Sequence, residues 1–166
     1  MPRKSKIQIS KQLLSWYDSN KASMPWRDDP NTYHIWLSEI MLQQTQVKTV
    51  IPYYYKWLQL FPTIYDVANA DEQDILKAWE GLGYYSRAIN FLDACKTVVN
   101  DYNGNIPTNQ EDFLKLKGVG PYIDAAVRSI AYNDVVPTID GNVNRVVARL
   151  LCLDNAVNKE RSKIYD

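Results

Sequence analysis

Two carboxylates in this chain stand in settings different enough to divide acid and anion chemistry between them. Glu39 lies in Trp36-Leu37-Ser38-Glu39-Ile40-Met41-Leu42, where a helix would place it among apolar neighbours whose desolvation favours the protonated form. Asp140 lies in Pro137-Thr138-Ile139-Asp140-Gly141-Asn142-Val143, at the position of a helix N-cap, where unbonded N–H groups and the positive end of the helix dipole face a carboxylate. A proton donor paired with an anion suits the breaking of a bond whose leaving group must be protonated while the other half becomes a cation. Each residue also fits a plainer role, Glu39 as a solvated helix acid and Asp140 as an ordinary cap. Between them runs Leu116-Lys117-Gly118-Val119-Gly120-Pro121-Tyr122. Two glycines around one apolar residue make a tight, partly left-handed hairpin, and proline suits the first position of the helix that follows. The N–H groups at that helix start can receive a phosphate oxygen whatever the base sequence, so the hairpin would grip nucleic-acid backbone and not bases.

The elements that must hold these groups read as helices throughout. Ile9, Leu13, Trp16 and Tyr17 form an apolar stripe on a first helix, and Met24 to Pro30 reads as a loop. A second helix is expected over Tyr33 to Gln44, with Trp36, Leu37, Ile40 and Met41 at helical spacing. Thr45 can cap a third, whose Val47, Val50, Ile51 and Tyr54 share a face and which Pro52 should bend. Asp71 opens a helix to Trp79, and a long helix through Ile89, Leu92, Cys95 and Val98 closes at Asn103-Gly104. Thr108 and Glu111 form a capping box for a helix ending at Leu116. The second hairpin helix runs to about Tyr132, and Asp140 caps another through Val143, Val146, Val147 and Leu150. Val135 to Ile139 is apolar, but Pro137 makes it a loop and not a strand.

Composition narrows the class. At 166 residues, 46% hydrophobic with twelve tyrosines and five tryptophans, the chain is a folded globular protein with a sizeable core. No apolar stretch approaches membrane-spanning length. The basic start Met1-Pro2-Arg3-Lys4-Ser5-Lys6 lacks a secretory signal's apolar core, so a cytoplasmic protein is expected, with no membrane partner. Cys95 and Cys152 sit in apolar helical patterns and read as buried thiols. His34 is the single histidine, which removes histidine metal clusters and Ser-His-Asp triads. Nineteen basic and nineteen acidic residues give zero net charge, so any contact with nucleic acid requires Lys and Arg gathered on one face, aided by helix N-termini.

The hairpin, together with Met24-Pro25-Trp26-Arg27, the segment Trp36 to Val47 and Gly81-Leu82-Gly83-Tyr84-Tyr85-Ser86-Arg87-Ala88, resembles the helix-hairpin-helix DNA glycosylases, most closely the adenine DNA glycosylases of MutY type. The likeness runs from about Leu13 to Arg149. It implies an all-α fold: a six-helix barrel module over residues 30–133, with the helix-hairpin-helix at about 108–132, and an incomplete second helical lobe from residues 1–29 and 134–166. Relatives continue with further helices and usually four cysteines that hold an iron–sulfur cluster. The two cysteines here cannot supply it, so no cofactor is expected within these residues and the cluster would belong to the missing C-terminal region.

The same likeness implies roles. Glu39 matches the general acid at adenine, and Asp140 the carboxylate that stabilises or covalently traps the sugar. Tyr122 stands where bifunctional relatives carry a lysine that forms a Schiff base, so base excision without strand cleavage is implied. Gln44 and Tyr84 match the residues that wedge into the stack when a base is flipped. Gly118, Val119, Gly120 and Tyr122 match the DNA-gripping hairpin, and Trp26, Arg27, Leu42 and Asn142 the adenine pocket. Ile123 and Asp124 depart from the usual threonine and small residue. Asp124 brings a negative charge to the first turn, which suits the helix dipole yet could repel phosphate; its plainer role is a solvent-facing acid with no function. The implied activity is removal of adenine mispaired with oxidised guanine or guanine in duplex DNA. A non-catalytic DNA-binding fragment and a thymine or uracil mismatch glycosylase are the alternatives. An unfinished second lobe is expected to expose apolar faces through which two copies can pair, and to leave the isolated chain slow or inactive.

Overall fold

The structure, a computed structural model, describes residues 6–28 and 31–153. These residues form ten helices and no strand: α1 (Lys6–Asn20), α2 (Pro25–Asp28), α3 (Thr32–Leu42), α4 (Val47–Leu60), α5 (Ile64–Ala68), α6 (Glu72–Trp79), α7 (Ser86–Tyr102), α8 (Gln110–Phe113), α9 (Pro121–Tyr132) and α10 (Gly141–Leu150). The α-helical expectation is met.

The core forms where apolar faces from α3, α4, α6, α7 and α9 converge. Its centre is aromatic. Phe91 packs edge-on to Trp36 and nearly parallel to Tyr33, at centroid distances of 4.9 and 6.2 Å, and Trp57 stands edge-on to Trp79 at 5.6 Å. Such pairs contribute beyond the area they bury. Two of the polar ends are satisfied in turn: Trp57 Nε1 donates to the Tyr33 hydroxyl (2.9 Å), which donates to the Phe61 carbonyl (2.8 Å), whereas Trp36 Nε1 is buried without a hydrogen-bond partner. Burial pushes the Tyr33 phenol well above its ordinary range. Among the described residues, no helix is long and apolar enough to cross a membrane.

Several local expectations shift. The helix before the hairpin ends at Phe113, and the chain continues through tight three-residue turns, Lys115 N–H to Asp112 O and Leu116 N–H to Phe113 O, both 3.1 Å. Its cap is Asn109 and not Thr108: Asn109 Oδ1 accepts from Asp112 N–H and Nδ2 donates to Asp112 Oδ2, both 2.9 Å. A reciprocal capping box does exist elsewhere, between Thr63 and Asp66. The second helix stops at Leu42, because Gln44 takes a left-handed φ of +58° that no helix continues through. Thr45 does not cap α4; its hydroxyl donates to the Gln43 carbonyl. Residues 25–28 are a short helix, not loop.

Two burial expectations fail. Cys95 is wholly buried in α7, but Cys152 is exposed, because α10 has ended at Leu150 and the chain turns left-handed there. Asp124 does not face solvent either. It is 1% exposed, turned inward onto Gln110 Nε2 at 2.9 Å and Arg128 Nη1 at 3.8 Å. Its charge is thereby spent tying α9 to α8, away from any phosphate at the hairpin. The stripe on α1 does not join the core: Leu13, Leu14 and Trp16 are each about 60% exposed.

Candidate active site

Glu39 reaches the site because α3 is apolar on almost every side. Eight of its eleven residues are buried, Glu39 among them at 4% exposure. A carboxyl in such surroundings loses hydration that its anion needs, and desolvation raises its pKa above the ordinary 4.5. The hydrogen bond from Tyr122 and the charge of Arg27 oppose this without reversing it.

Tyr122 arrives from the other side. Gly120 is extended and Pro121 starts α9, so Tyr122 falls in the first turn of a helix packed against α3. Its hydroxyl donates to Glu39 Oε2 at 3.3 Å. Desolvation first, and then the charge of Glu39, push this phenol up to about 12. It therefore stays a neutral donor, and a phenol has no amine with which to form an imine.

Asp140 caps α10 as its position demands. Oδ1 accepts from Val143 N–H at 2.7 Å and Oδ2 from Asn142 Nδ2 at 3.1 Å. Asn142 in turn accepts from Arg145 Nη2 at 3.3 Å. The carboxylate is close enough for its charge to act on the Tyr122 phenol. Glu39, Tyr122 and Asp140 line one cleft of roughly 540 Å³, with Leu42, Gln44 and Asn144 on its walls.

The hairpin beside it is built by one left-handed glycine and one extended glycine. Gly118 has φ +80°, and a Cβ there would meet Asn90 Cβ at 3.0 Å. Gly120 is extended, and a Cβ would meet nothing within 4 Å. Val119 turns its side chain into the core and its N–H bonds Leu116 O at 3.1 Å. The first bond of the α9 ladder is Asp124 N–H to Gly120 O, at 3.0 Å. The N–H groups of Gly120, Tyr122 and Ile123 precede that ladder, as helix starts require.

Other expected residues stand elsewhere. Trp26 is fully buried with its ring edge-on to Tyr54 at 5.3 Å, in the core and not on the cleft wall. Arg27 donates to the Tyr17 hydroxyl at 2.8 Å, linking α2 to α1, while its charge is felt at Glu39 and Tyr122. Tyr84 is 62% exposed on a left-handed turn outside the cleft lining. Asn144 is a wall residue that the sequence reading missed; its Oδ1 is buried with no hydrogen-bond partner. Its spacing of one helical turn from Asp140 was the available signal.

A four-thiolate cluster does not fit the residues present. Cys95 is sealed in the core and Cys152 lies exposed beyond α10. Among the described residues, no group of three or more His, Cys, Asp or Glu side chains is placed to hold a metal ion.

A desolvated acid bonded to a phenol, a capped carboxylate facing the same cleft, and a glycine hairpin that starts the phenol's helix together define a class. The chain belongs to the HhH-GPD superfamily of base excision DNA repair proteins, whose family model matches residues 37–165. Within it, the chain is similar to adenine DNA glycosylases. It is 43% identical over 149 residues to that of Rattus norvegicus, covering 84% of this chain and 29% of the relative. It is 41% identical over 169 residues to that of Arabidopsis thaliana, covering 86% and 27%, and 40% over 153 residues to one from Buchnera aphidicola, covering 92% and 43%. The chain thus spans between about a quarter and a half of the length of these curated relatives. Among solved structures, a thermostable thymine-DNA glycosylase superposes with TM-score 0.79 at 29% identity, over 86% of this chain and 65% of that one. A trapped endonuclease III–DNA intermediate superposes equally well at 20% identity, over 93% and 74% of the two chains, a likeness of fold.

Proposed function

We propose that this chain carries the catalytic region of an adenine DNA glycosylase, one that hydrolyses the N-glycosidic bond of adenine mispaired with oxidised guanine or guanine and leaves the strand uncut. The observation that carries the reading is the Tyr122 hydroxyl on Glu39 Oε2, in the cleft that Asp140 also lines. In this reading Glu39, whose protonated form desolvation favours, donates its proton to a ring nitrogen of the leaving adenine. The C1′–N bond then breaks with both electrons going to the base, and the sugar is left as an oxocarbenium cation. Asp140 stabilises that cation, or captures it in a C1′–O bond that breaks again, until water adds at C1′ and passes its proton to the Glu39 carboxylate. Tyr122 steadies the carboxyl of Glu39 by its hydrogen bond and offers no amine for strand cleavage.

Duplex DNA is the proposed partner. The N–H groups ahead of the α9 ladder would take a backbone phosphate, and Gln44 and Tyr84 would fill the gap left by the extruded base. Residues 30–133 are proposed as the six-helix module, with α1 and α10 belonging to a second lobe. Trp26 supports the pocket from behind in this reading, whereas Leu42 lines it and Asn142 orients Asp140. The exposed faces of α1 and α10 are where two copies would pair, and a cytoplasmic setting is proposed with them.

Single-turnover excision on duplexes carrying adenine, thymine or uracil opposite guanine or oxidised guanine tests the proposal. Adenine alone should be released, slowly, with strands breaking only after alkali. Release of thymine or uracil in place of adenine would favour the mismatch alternative. DNA binding with no excision of any base would favour the non-catalytic one.

A further inference from the structure

Gln44 and Tyr84 lie far apart in sequence, yet share an unusual state. Both are exposed non-glycine residues in the left-handed region, at φ +58° and +47°. Between their turns sits one guanidinium. Arg87 Nη1 donates to the carbonyls of Ile40 (2.9 Å), Met41 (3.0 Å) and Gln43 (2.6 Å), at the end of α3 and the start of the Gln44 turn. Nη2 donates to the carbonyls of Leu82 and Gly83, both 3.1 Å, immediately before Tyr84, and reaches Thr45 Oγ1 at 3.5 Å. The Arg87 guanidinium carbon also lies 5.7 Å from the centre of the Tyr84 ring and 5.3 Å from that of Trp79. The carbonyls at a helix C-terminus lack intrahelical partners and favour a cation. Here they share theirs with a second turn.

We infer that Arg87 is a positioning residue that locks the Gln44 and Tyr84 turns into one rigid unit, so that both side chains meet DNA at a set separation. A planar fork with donors on two edges is what makes the coupling; a lysine ammonium could serve one turn but not hold both. Neither left-handed residue is the conformation its own backbone prefers, so release of the fork frees both turns together. Arg87 lines no part of the cleft, and its effect on catalysis passes through the two turns.

The inference rests on the glycosylase reading for its purpose, but its test is separable. Hydrogen exchange and 2-aminopurine fluorescence, with the fluorophore beside a mismatched adenine, are measured on the whole chain and on Arg87→Lys. In the variant, amide protection at residues 43–45 and 82–87, where the N–H groups of Gln43, Thr45, Leu82 and Arg87 are hydrogen-bonded, should fall together by about ten-fold or more. The fluorescence rise on binding should be lost, while binding to matched duplex stays within about two-fold because the hairpin is untouched. Wild-type protection at either turn, or an unchanged fluorescence rise, overturns the inference. Should Arg87→Lys lose its cooperative melt, Gln44→Val decides, because a β-branched side chain is badly strained at a left-handed φ. Disturbing that turn should lower protection at 82–87 as well, and loss confined to 43–45 overturns the coupling. A wild-type chain that unstacks the mismatch without releasing adenine would instead sink the functional reading and leave this one standing.

Discussion

Helices α3 and α10 carry the two carboxylates of the site, and they are held in opposite ways. Both show apolar residues at helical spacing. Yet α3 buries eight of eleven residues, whereas none of α10 is buried, and Val146 and Leu150 are 50% and 62% exposed. The acid thus rides on an element fixed by the core, while the anion rides on one held locally by its own cap. Periodicity announces that a face could be covered; it does not say that something covers it. For the proposed catalysis the difference matters because a small misplacement of either group would cost rate.

The largest effect is expected in the core against which α3 packs. Phe91→Ala removes the ring between Tyr33, Trp36 and Trp57 and should cost about 3–5 kcal/mol of stability by denaturant unfolding. Glu39→Gln should lower single-turnover excision by roughly 10²-fold or more with little change in DNA affinity. Equal rates would remove the acid from Glu39. Gly118→Ala forces a side chain into the left-handed region and against Asn90, so a loss of about 1–2 kcal/mol is expected, whereas Gly120→Ala should be nearly neutral. Equal losses at the two glycines would show that the hairpin's shape does not come from Gly118.

Acidity sharpens the same contrast. Because burial raises the Glu39 pKa, the folded chain retains a proton that the unfolded chain releases above its ordinary 4.5. Stability from this group is therefore full below that value and is lost as pH rises through the raised one. Glu39→Gln should abolish that decline, so its melting temperature should gain on the parent's as pH climbs from 4.5. Parallel curves would mean that the carboxyl is not desolvated. The smallest effect is expected on α10, where Val146→Ser with Leu150→Ser should shift stability by about 0.5 kcal/mol or less, as exposed positions do. A loss near that of Phe91→Ala would erase the distinction between the two helices.

Much of this was legible in local signals. The left-handed end of α7 at Asn103-Gly104, the proline start of α9 and the Asp140 cap each depend on one or two residues whose backbone preference is strong. The acid's setting was legible too, because apolar residues surround Glu39 along the chain itself. Other features were not. The start of α8 moved by one residue because Asn109 and Thr108 can both cap, and Asn109 takes the place by bonding Asp112 through both ends of its amide. The inward turn of Asp124 was not legible because nothing in its neighbourhood announces Gln110 and Arg128 as partners.

The elements, the hairpin and the residue types able to donate a proton, offer an anion and decline an imine could be read along the chain, because these depend on chemistry within a turn or two of it. Only the tertiary structure decided that Tyr122 bonds Glu39, that Trp26 belongs to the core, that α10 is left uncovered, and that Arg87 joins two turns distant in sequence. Those facts depend on which faces meet, and the approach of one helix to another is set by the summed packing of many side chains, none of which carries that information alone.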